Sequence, residues 1–248
     1  MTPAASVTAA LLVIGDEILS GRTKDQNIGY TANYLAKIGI DLREVRVVPD
    51  VQDEIVTAVN ALRARYDYLF TTGGIGPTHD DITADAIAAA FGVGISEDPR
   101  AIKILLERIK PEDLNEARRR MARVPHGASL IENRLSKAPG FWIENVIVLA
   151  GVPAVMQIML DDVAPKLAKG TPMVAETVAA GSLAEGAYAA ALSDFAAANP
   201  ELVIGSYPAF RDGKLNNEIV IRGRDRAKVA AAAAAVNGIV QGLRNQQV

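Results

Sequence analysis

Tyr68-Leu69-Phe70-Thr71-Thr72-Gly73-Gly74-Ile75-Gly76-Pro77-Thr78-His79-Asp80-Asp81-Ile82 decides how this chain folds. An apolar run empties into a glycine-rich turn, and a helical pattern over residues 82–91 follows. Strand, turn and helix in that order make half of a crossover unit of a parallel sheet. Glycines let a backbone approach a ligand closely, and free N–H groups at a helix start suit a phosphate. Asp80 and Asp81 beside such a cradle point to a divalent metal, because carboxylate and phosphate otherwise repel each other. Thr78 and Asp81 have the spacing of a capping box for that helix. The spacing of Gly73, Gly74 and Gly76 fits neither a Walker loop nor a dinucleotide fingerprint.

The same alternation extends in both directions. Ala9-Ala10-Leu11-Leu12-Val13-Ile14 is a continuous apolar run, expected of a strand covered on both faces. A helix is expected over 27–38 (Ile28, Ala32, Leu35, Ile38), stopped by Gly39. A strand over 42–48, a helix over 54–65 and a strand over 67–71 come next. Gly92 stops the helix that the glycine loop opens. Residues 99–122 read as helices broken at Pro111. A strand over 145–150 precedes a helix from Pro153 to about residue 167, with proline where an early turn tolerates it. The expected fold is α/β: a three-layer α/β/α arrangement around a mainly parallel sheet.

Composition shifts near Lys166-Leu167-Ala168-Lys169-Gly170-Thr171-Pro172, which reads as a linker between a domain over 1–168 and one over 169–248. The second part reads strand (174–179), helix (183–198), strand (202–207), strand (215–221), helix (227–243), a small α+β module. Asp212-Gly213 falls in the connection between its last two strands. The alanine run 230–235 reads as helix, since alanine is the best helix former.

Half of the 248 residues are hydrophobic, enough for a sizeable core. A net charge of −3 argues against nucleic-acid binding through a broad basic surface. The chain has no cysteine, so disulfides and thiolate metal sites are excluded. The run at 9–14 is too short to span a bilayer and lacks a basic lead-in, so neither a membrane span nor a signal peptide is expected. A cytoplasmic protein is the expectation.

Three of the expected strands end in turn-forming segments: Gly15-Asp16-Glu17, Thr72-Gly73-Gly74 and Gly151-Val152-Pro153. Ligands bind outside the carboxyl ends of strands in open parallel sheets. If the three strands are neighbours, Asp16, Glu17, Asp80 and Asp81 share one crevice, with Asp25 and Asn27 approaching from the first helix. Asp16 and Glu17 also suit a turn or helix start electrostatically, and Asp81 also suits a cap. His79 reads as a base or as a surface hydrogen-bonding residue. His126 falls in a loop. Lys137, before Ala138-Pro139-Gly140, reads as a phosphate contact or as an ordinary loop lysine. Arg118-Arg119-Arg120 reads as a solvated helix face, and Trp142 with Phe141 as core or pocket wall.

These residues resemble a known family. Gly15-Asp16-Glu17-Ile18-Leu19, then Gly21, Asp25 and Asn27, then Thr72 through Thr83, look like the molybdopterin-binding domain family of MoaB/Mog type. Within it they are most similar to the N-terminal domain of CinA proteins and to the molybdopterin-binding-like domain of FAD synthases. Asn133 followed by Ala138-Pro139-Gly140-Phe141 fits the CinA pattern, and Gly205-Ser206-Tyr207-Pro208 resembles the small domain that follows in the FAD-synthase branch. Gly151-Val152-Pro153-Ala154-Val155-Met156 departs from CinA, with Val155 in the place of a glutamate and Ala150 in the place of a proline. The deamidase domain of CinA and the synthetase domain of FAD synthase are not expected here.

The resemblance implies a metal-dependent pyrophosphatase of FAD- or ADP-ribose-type dinucleotides, or else a non-catalytic binder of molybdopterin or a nucleotide. It implies Asp16, Asp80 and Asp81 as catalytic and metal-binding residues. Substrate contacts are expected from Gly15, Glu17, Asn27, Thr72, Gly73, Gly74, Gly76, Thr78, Lys137, Gly151 and Pro153. A divalent ion (Mg, Mn or Co) is the implied cofactor, with a monovalent cation as an optional companion and no flavin or haem needed for the fold. The implied partners are a small-molecule nucleotide or pterin and further copies of the chain, without nucleic acid or membrane.

Overall fold

A computed structural model describes residues 6–211 and 213–245. They fall into two compact units that meet in sequence at Gly170 and Thr171. No described helix is long and apolar enough to cross a membrane.

The first unit is an α/β sandwich. Its elements begin with β1 (Val7–Ile14), α1 (Asp16–Leu19), α2 (Asn27–Lys37), β2 (Ile40–Val48), α3 (Gln52–Arg63), β3 (Tyr68–Thr72) and α4 (Thr83–Phe91). There follow β4 (Ile95–Glu97), α5 (Pro99–Leu105), α6 (Glu116–Arg120), β5 (Arg123–Pro125), β6 (Ser129–Ile131), β7 (Gly140–Ile143), β8 (Val146–Leu149) and α7 (Pro153–Val163). Six strands form one sheet in the order β2-β1-β3-β8-β7-β6. The first four run parallel, and β7 and β6 return antiparallel.

The apolar run of β1 divides its side chains between two layers. Ala10, Leu12 and Ile14 pack with Ile55, Val59 and Leu62 of α3 and Ile87 of α4. Ala9, Leu11 and Val13 pack with Leu35 of α2 and Met156, Met159 and Leu160 of α7. Each fully buried Leu or Ile contributes about 1.5–3 kcal/mol, so the central strand is pinned from both faces. The register then puts the ends of β1, β3 and β8 side by side: Val13 is opposite Thr72, and Thr72 is opposite Leu149.

The second unit holds β9 (Val174–Gly181), α8 (Glu185–Ala198), β10 (Val203–Tyr207), β11 (Phe210–Arg211), β12 (Lys214–Leu215), β13 (Asn217–Gly223) and α9 (Arg226–Asn245). An antiparallel sheet in the order β10-β13-β9 buries Val178, Ile219 and Ile221 against Tyr188, Val229, Val236 and Val240. Gly213 sits in the short β11–β12 hairpin with φ +73°, and Asp212 lies outside the described residues.

Two expectations change. Helices α5 and α6 form within 99–122 as expected, and four short strands, β4 to β7, lie on either side of them where no strand is expected. The helix after the glycine loop begins at Thr83, and its N-cap Ile82 makes no side-chain cap, so Thr78 and Asp81 do not form a capping box. Asp81 turns back into the loop instead. Its Oδ1 accepts from the Gly76 N–H (2.7 Å), and its Oδ2 accepts from the Thr78 N–H (2.8 Å) and hydroxyl (2.5 Å).

Candidate active site

The loops after β1, β3 and β8 enclose a cavity of about 390 Å³, within the range of small-molecule sites. Gly15, Gly73, Gly74, Gly76 and Gly151 supply backbone. Glu17, Asp50, Asp80 and Asp81 supply acids. Ile14, Ile75, Met121, Ala138, Ala150, Val152, Val155 and Met159 supply an apolar wall.

The glycine loop is held by close packing. Gly73 has φ +106°, and a Cβ there would run into the Ile14 carbonyl oxygen on the neighbouring strand. Gly74 has φ +66°, and a Cβ there would strike the Thr83 hydroxyl. That hydroxyl donates to the Gly73 carbonyl at 2.9 Å and ties the loop to α4. The Gly73 N–H is given to Leu149 O and the Gly76 N–H to Asp81, which leaves the N–H groups of Gly74 and Ile75 facing no acceptor among the described residues. The N-terminus of α7, whose positive dipole end favours an anion, begins just beyond Gly151 and Val152, and Gly151 packs directly beside Gly73.

Asp50 is the acid that the sequence reading passed over. It follows β2, next to β1, and its Oδ2 accepts from the Asp16 N–H at 2.9 Å. Burial pushes its carboxyl above the usual range, the Asp16 N–H pulls it partly back, and the carboxylates of Asp16, Glu17 and Asp80 push it up again. Glu17 and Asp80 line the same cavity as Asp50. The Asp80 carboxyl is held below its usual range by the polar side chain of Thr78 nearby and by its own backbone N–H, with further help from His79 and Arg120.

The expected site residues divide into groups. Gly15, Glu17, Gly73, Gly74, Gly76, Asp80, Asp81 and Gly151 line the large cavity. Asn27, Thr72 and Pro153 line a smaller one beside it, which shares Glu17, Gly73 and Gly151. Asp16 is exposed and reaches the site through its backbone N–H. Thr78 serves the loop by bonding Asp81. Lys137 is turned away: its Nζ lies 2.6 Å from Glu107, while its neighbours Ser136 and Ala138 line the cavity. Its backbone has φ +65°, in a loop built around the buried Asn133. Asn133 donates to Ser136 Oγ and Ala138 O and accepts from the N–H groups of Leu135 and Ser136.

The remaining candidates do not line either cavity. The His79 side chain is 98% exposed. His126 contacts Ser96 at 3.0 Å, away from the cavity. The arginine run lies on a helix with no buried residue, as expected of a solvated face: Arg118 donates to Asp113 O, Arg119 pairs with Glu97, and Arg120 donates to Asp81 O at 3.2 Å. The Trp142 indole donates to Glu144 O and meets Tyr68 edge-on.

A resident metal is constrained by this donor set. Among the described residues, no group of three or more His, Cys, Asp or Glu is placed to hold a metal ion. The loop also commits both oxygens of Asp81. The acids fit a hard cation that takes one or two carboxylates and completes its shell with substrate phosphate and water, as magnesium does.

Comparison with known proteins agrees with the fold. Residues 10–169 match the family model described as "Probable molybdopterin binding domain", and residues 172–243 match "FAD synthase, middle domain". A protein of Archaeoglobus fulgidus is 32% identical over 222 residues, covering 90% of this chain and 93% of its own. A protein of Caldivirga maquilingensis is 35% identical over 209 residues, 81% of each. The crystal structure of a CinA protein of unknown function from Thermoplasma acidophilum is 32% identical and superposes with a TM-score of 0.62, over 65% of this chain and 99% of that one. With two-thirds of its length matched by that family model and a carboxyl-end cavity on the matching sheet, this chain belongs to the molybdopterin-binding domain family.

Proposed function

We propose that this chain hydrolyses the pyrophosphate bond of FAD- or ADP-ribose-type dinucleotides. The observation that carries the reading is the large cavity itself: the N–H groups of the glycine loop and the adjoining start of α7 lie beside an apolar wall, with a half-buried acid of raised pKa in the lining. The N–H groups of Gly74 and Ile75 and the start of α7 bind one phosphate. The wall of Met121, Val152, Val155 and Met159 takes a flat heterocycle. Asp50 orients a water and receives its proton, since a base works best when its pKa lies nearer the working pH. The water oxygen bonds to phosphorus, the bridging P–O bond breaks, and the bridging oxygen leaves on the other phosphate. A divalent ion of magnesium, manganese or cobalt type, held by Asp80 and Glu17, would offset the phosphate charge when bound.

A second reading is a non-catalytic nucleotide or molybdopterin binder, favoured by the lack of a preformed metal cage among the described residues. Incubation with FAD, ADP-ribose and NAD plus each metal separates the two. AMP release that Asp80→Ala and Asp50→Asn abolish, with folding intact, supports the enzyme. Tight binding without product supports the binder. A cytoplasmic location and self-association belong to the same proposal. For self-association the support is β10, an edge strand of Val203-Ile204-Gly205-Ser206-Tyr207 without the charge or proline that usually blunts such edges.

A further inference from the structure

The smaller cavity, of about 140 Å³, opens beneath Gly73 and Gly151, between the end of β3 and the start of α2. Two of its side chains carry buried oxygens with no partner, Asn27 Oδ1 and Thr72 Oγ1. Asn27 is 4% exposed and Thr72 1%. Chemistry fixes which end of the Asn27 amide is left over. Its Nδ2 donates to Gly151 O at 2.8 Å, and a carbonyl oxygen only accepts, so the amide oxygen is the unpaired atom. Asp25 and Glu17 line the same space, and Asp25 Oδ1 already accepts from the Ile28 N–H.

We infer that this cavity is a sugar subsite, which takes the ribose hydroxyls of a nucleotide whose phosphate lies across Gly73 and Gly74. The inference rests on the nucleotide reading above and adds the part of the substrate that reading leaves unplaced. Asn27 Oδ1 demands a donor, and Thr72 can both donate and accept, the pattern a hydroxyl pair satisfies. Lys24 lines the space as well and offsets one of the two acids, so the lining has a net negative charge that disfavours a second phosphate but not a neutral polyol. The space would hold about four to five waters at roughly 30 Å³ each, which suits a five-membered sugar ring better than a fused bicyclic base. Sharing Gly73 and Gly151 with the large cavity puts the sugar next to the phosphate, as a 5′-nucleotide requires.

The test is calorimetric binding of AMP and of 2′,3′-dideoxyAMP to wild-type protein and to Thr72→Val, in sodium and in potassium buffers. Thr72→Val keeps the shape and removes an unpaired hydroxyl, so its melting temperature should hold or rise. Wild type should prefer AMP by about tenfold, the worth of one well-formed hydrogen bond. Thr72→Val removes one of the two partners, so it should shrink the preference for AMP several-fold and leave dideoxyAMP unchanged. Equal binding of the two nucleotides by wild type overturns the subsite while leaving nucleotide binding intact, and it does so even if the variant fails to fold. Equal losses for both nucleotides in Thr72→Val, or a potassium dependence that replaces the ribose preference, also overturn it. No binding of either nucleotide overturns the subsite and the nucleotide reading together.

Discussion

Asp80 and Asp81 are adjacent in sequence, and the proposed function gives them different work. Asp81→Ala removes three hydrogen bonds, from the Gly76 N–H and from the Thr78 N–H and hydroxyl. A net hydrogen bond contributes about 0.5–1.5 kcal/mol, and more to a charged acceptor. The loop is only half-buried, so water can satisfy part of what is lost, and the lower end applies: about 2 kcal/mol for the three together. For a unit of this size that is a fall in melting temperature of about 4–8 °C. The Asp80 side chain is 62% exposed, so Asp80→Ala should stay within about 0.5 kcal/mol of wild type. Calorimetry on both variants, paired with AMP release from ADP-ribose, reads both axes. Asp81→Ala should lose stability and part of its activity through a loosened loop. Asp80→Ala should lose activity at full stability. An Asp81→Ala protein that melts with wild type and turns over nothing would refute the assignment of that carboxylate to architecture.

Two other outcomes follow from the same geometry. Gly73→Ala places a methyl against the Ile14 carbonyl at φ +106°, whereas Gly92→Ala, at φ +64° with open space around it, adds only backbone strain. Denaturant titration should show Gly92→Ala losing about 1–2 kcal/mol and Gly73→Ala about 2–5 kcal/mol. Asp50 has its folded pKa raised, so its contribution to stability is present at low pH and is lost as pH rises through that pKa. Asp50→Asn should therefore be more stable than wild type at neutral pH, with the gain shrinking below the carboxylate range. A pH series of melting curves in which the gain grows on acidification would contradict the assignment.

The parts of this fold that were legible in the sequence are those with unambiguous patterning. β1, β3 and β8 are unbroken apolar runs because both faces are covered, and their turn-forming ends located the cavity. β6 and β7 were illegible because three or four residues between proline and glycine give no period to read. Asp50 obeys the same strand-end rule as Asp16, but β2 is an edge strand whose residues beyond Ile40 are only partly buried or exposed, so it is not an unbroken apolar run like β1. Thr78 and Asp81 have capping spacing, and only coordinates show that the carboxylate accepts from its own loop while helix α4 starts two residues later. The unpaired oxygens of Asn27 and Thr72 depend on packing across distant segments, which no local pattern encodes.

The sheet order has a consequence for how the molecule assembles. β1, β2 and β3 are close in sequence and can zip early, whereas β8 must find β3 after the whole stretch from Gly73 to Asn145 has been ordered. Loop-closure entropy makes that late pairing the slow one. The cavity borrows a wall from β8 and its following turn, so the half-built sheet is already compact and yet has nowhere to seat a nucleotide. In refolding, protection of the β1 backbone amides, which pair with β2 and β3, should therefore run ahead of ligand competence, and a ligand that binds the finished cavity should act as a latch on the last strand.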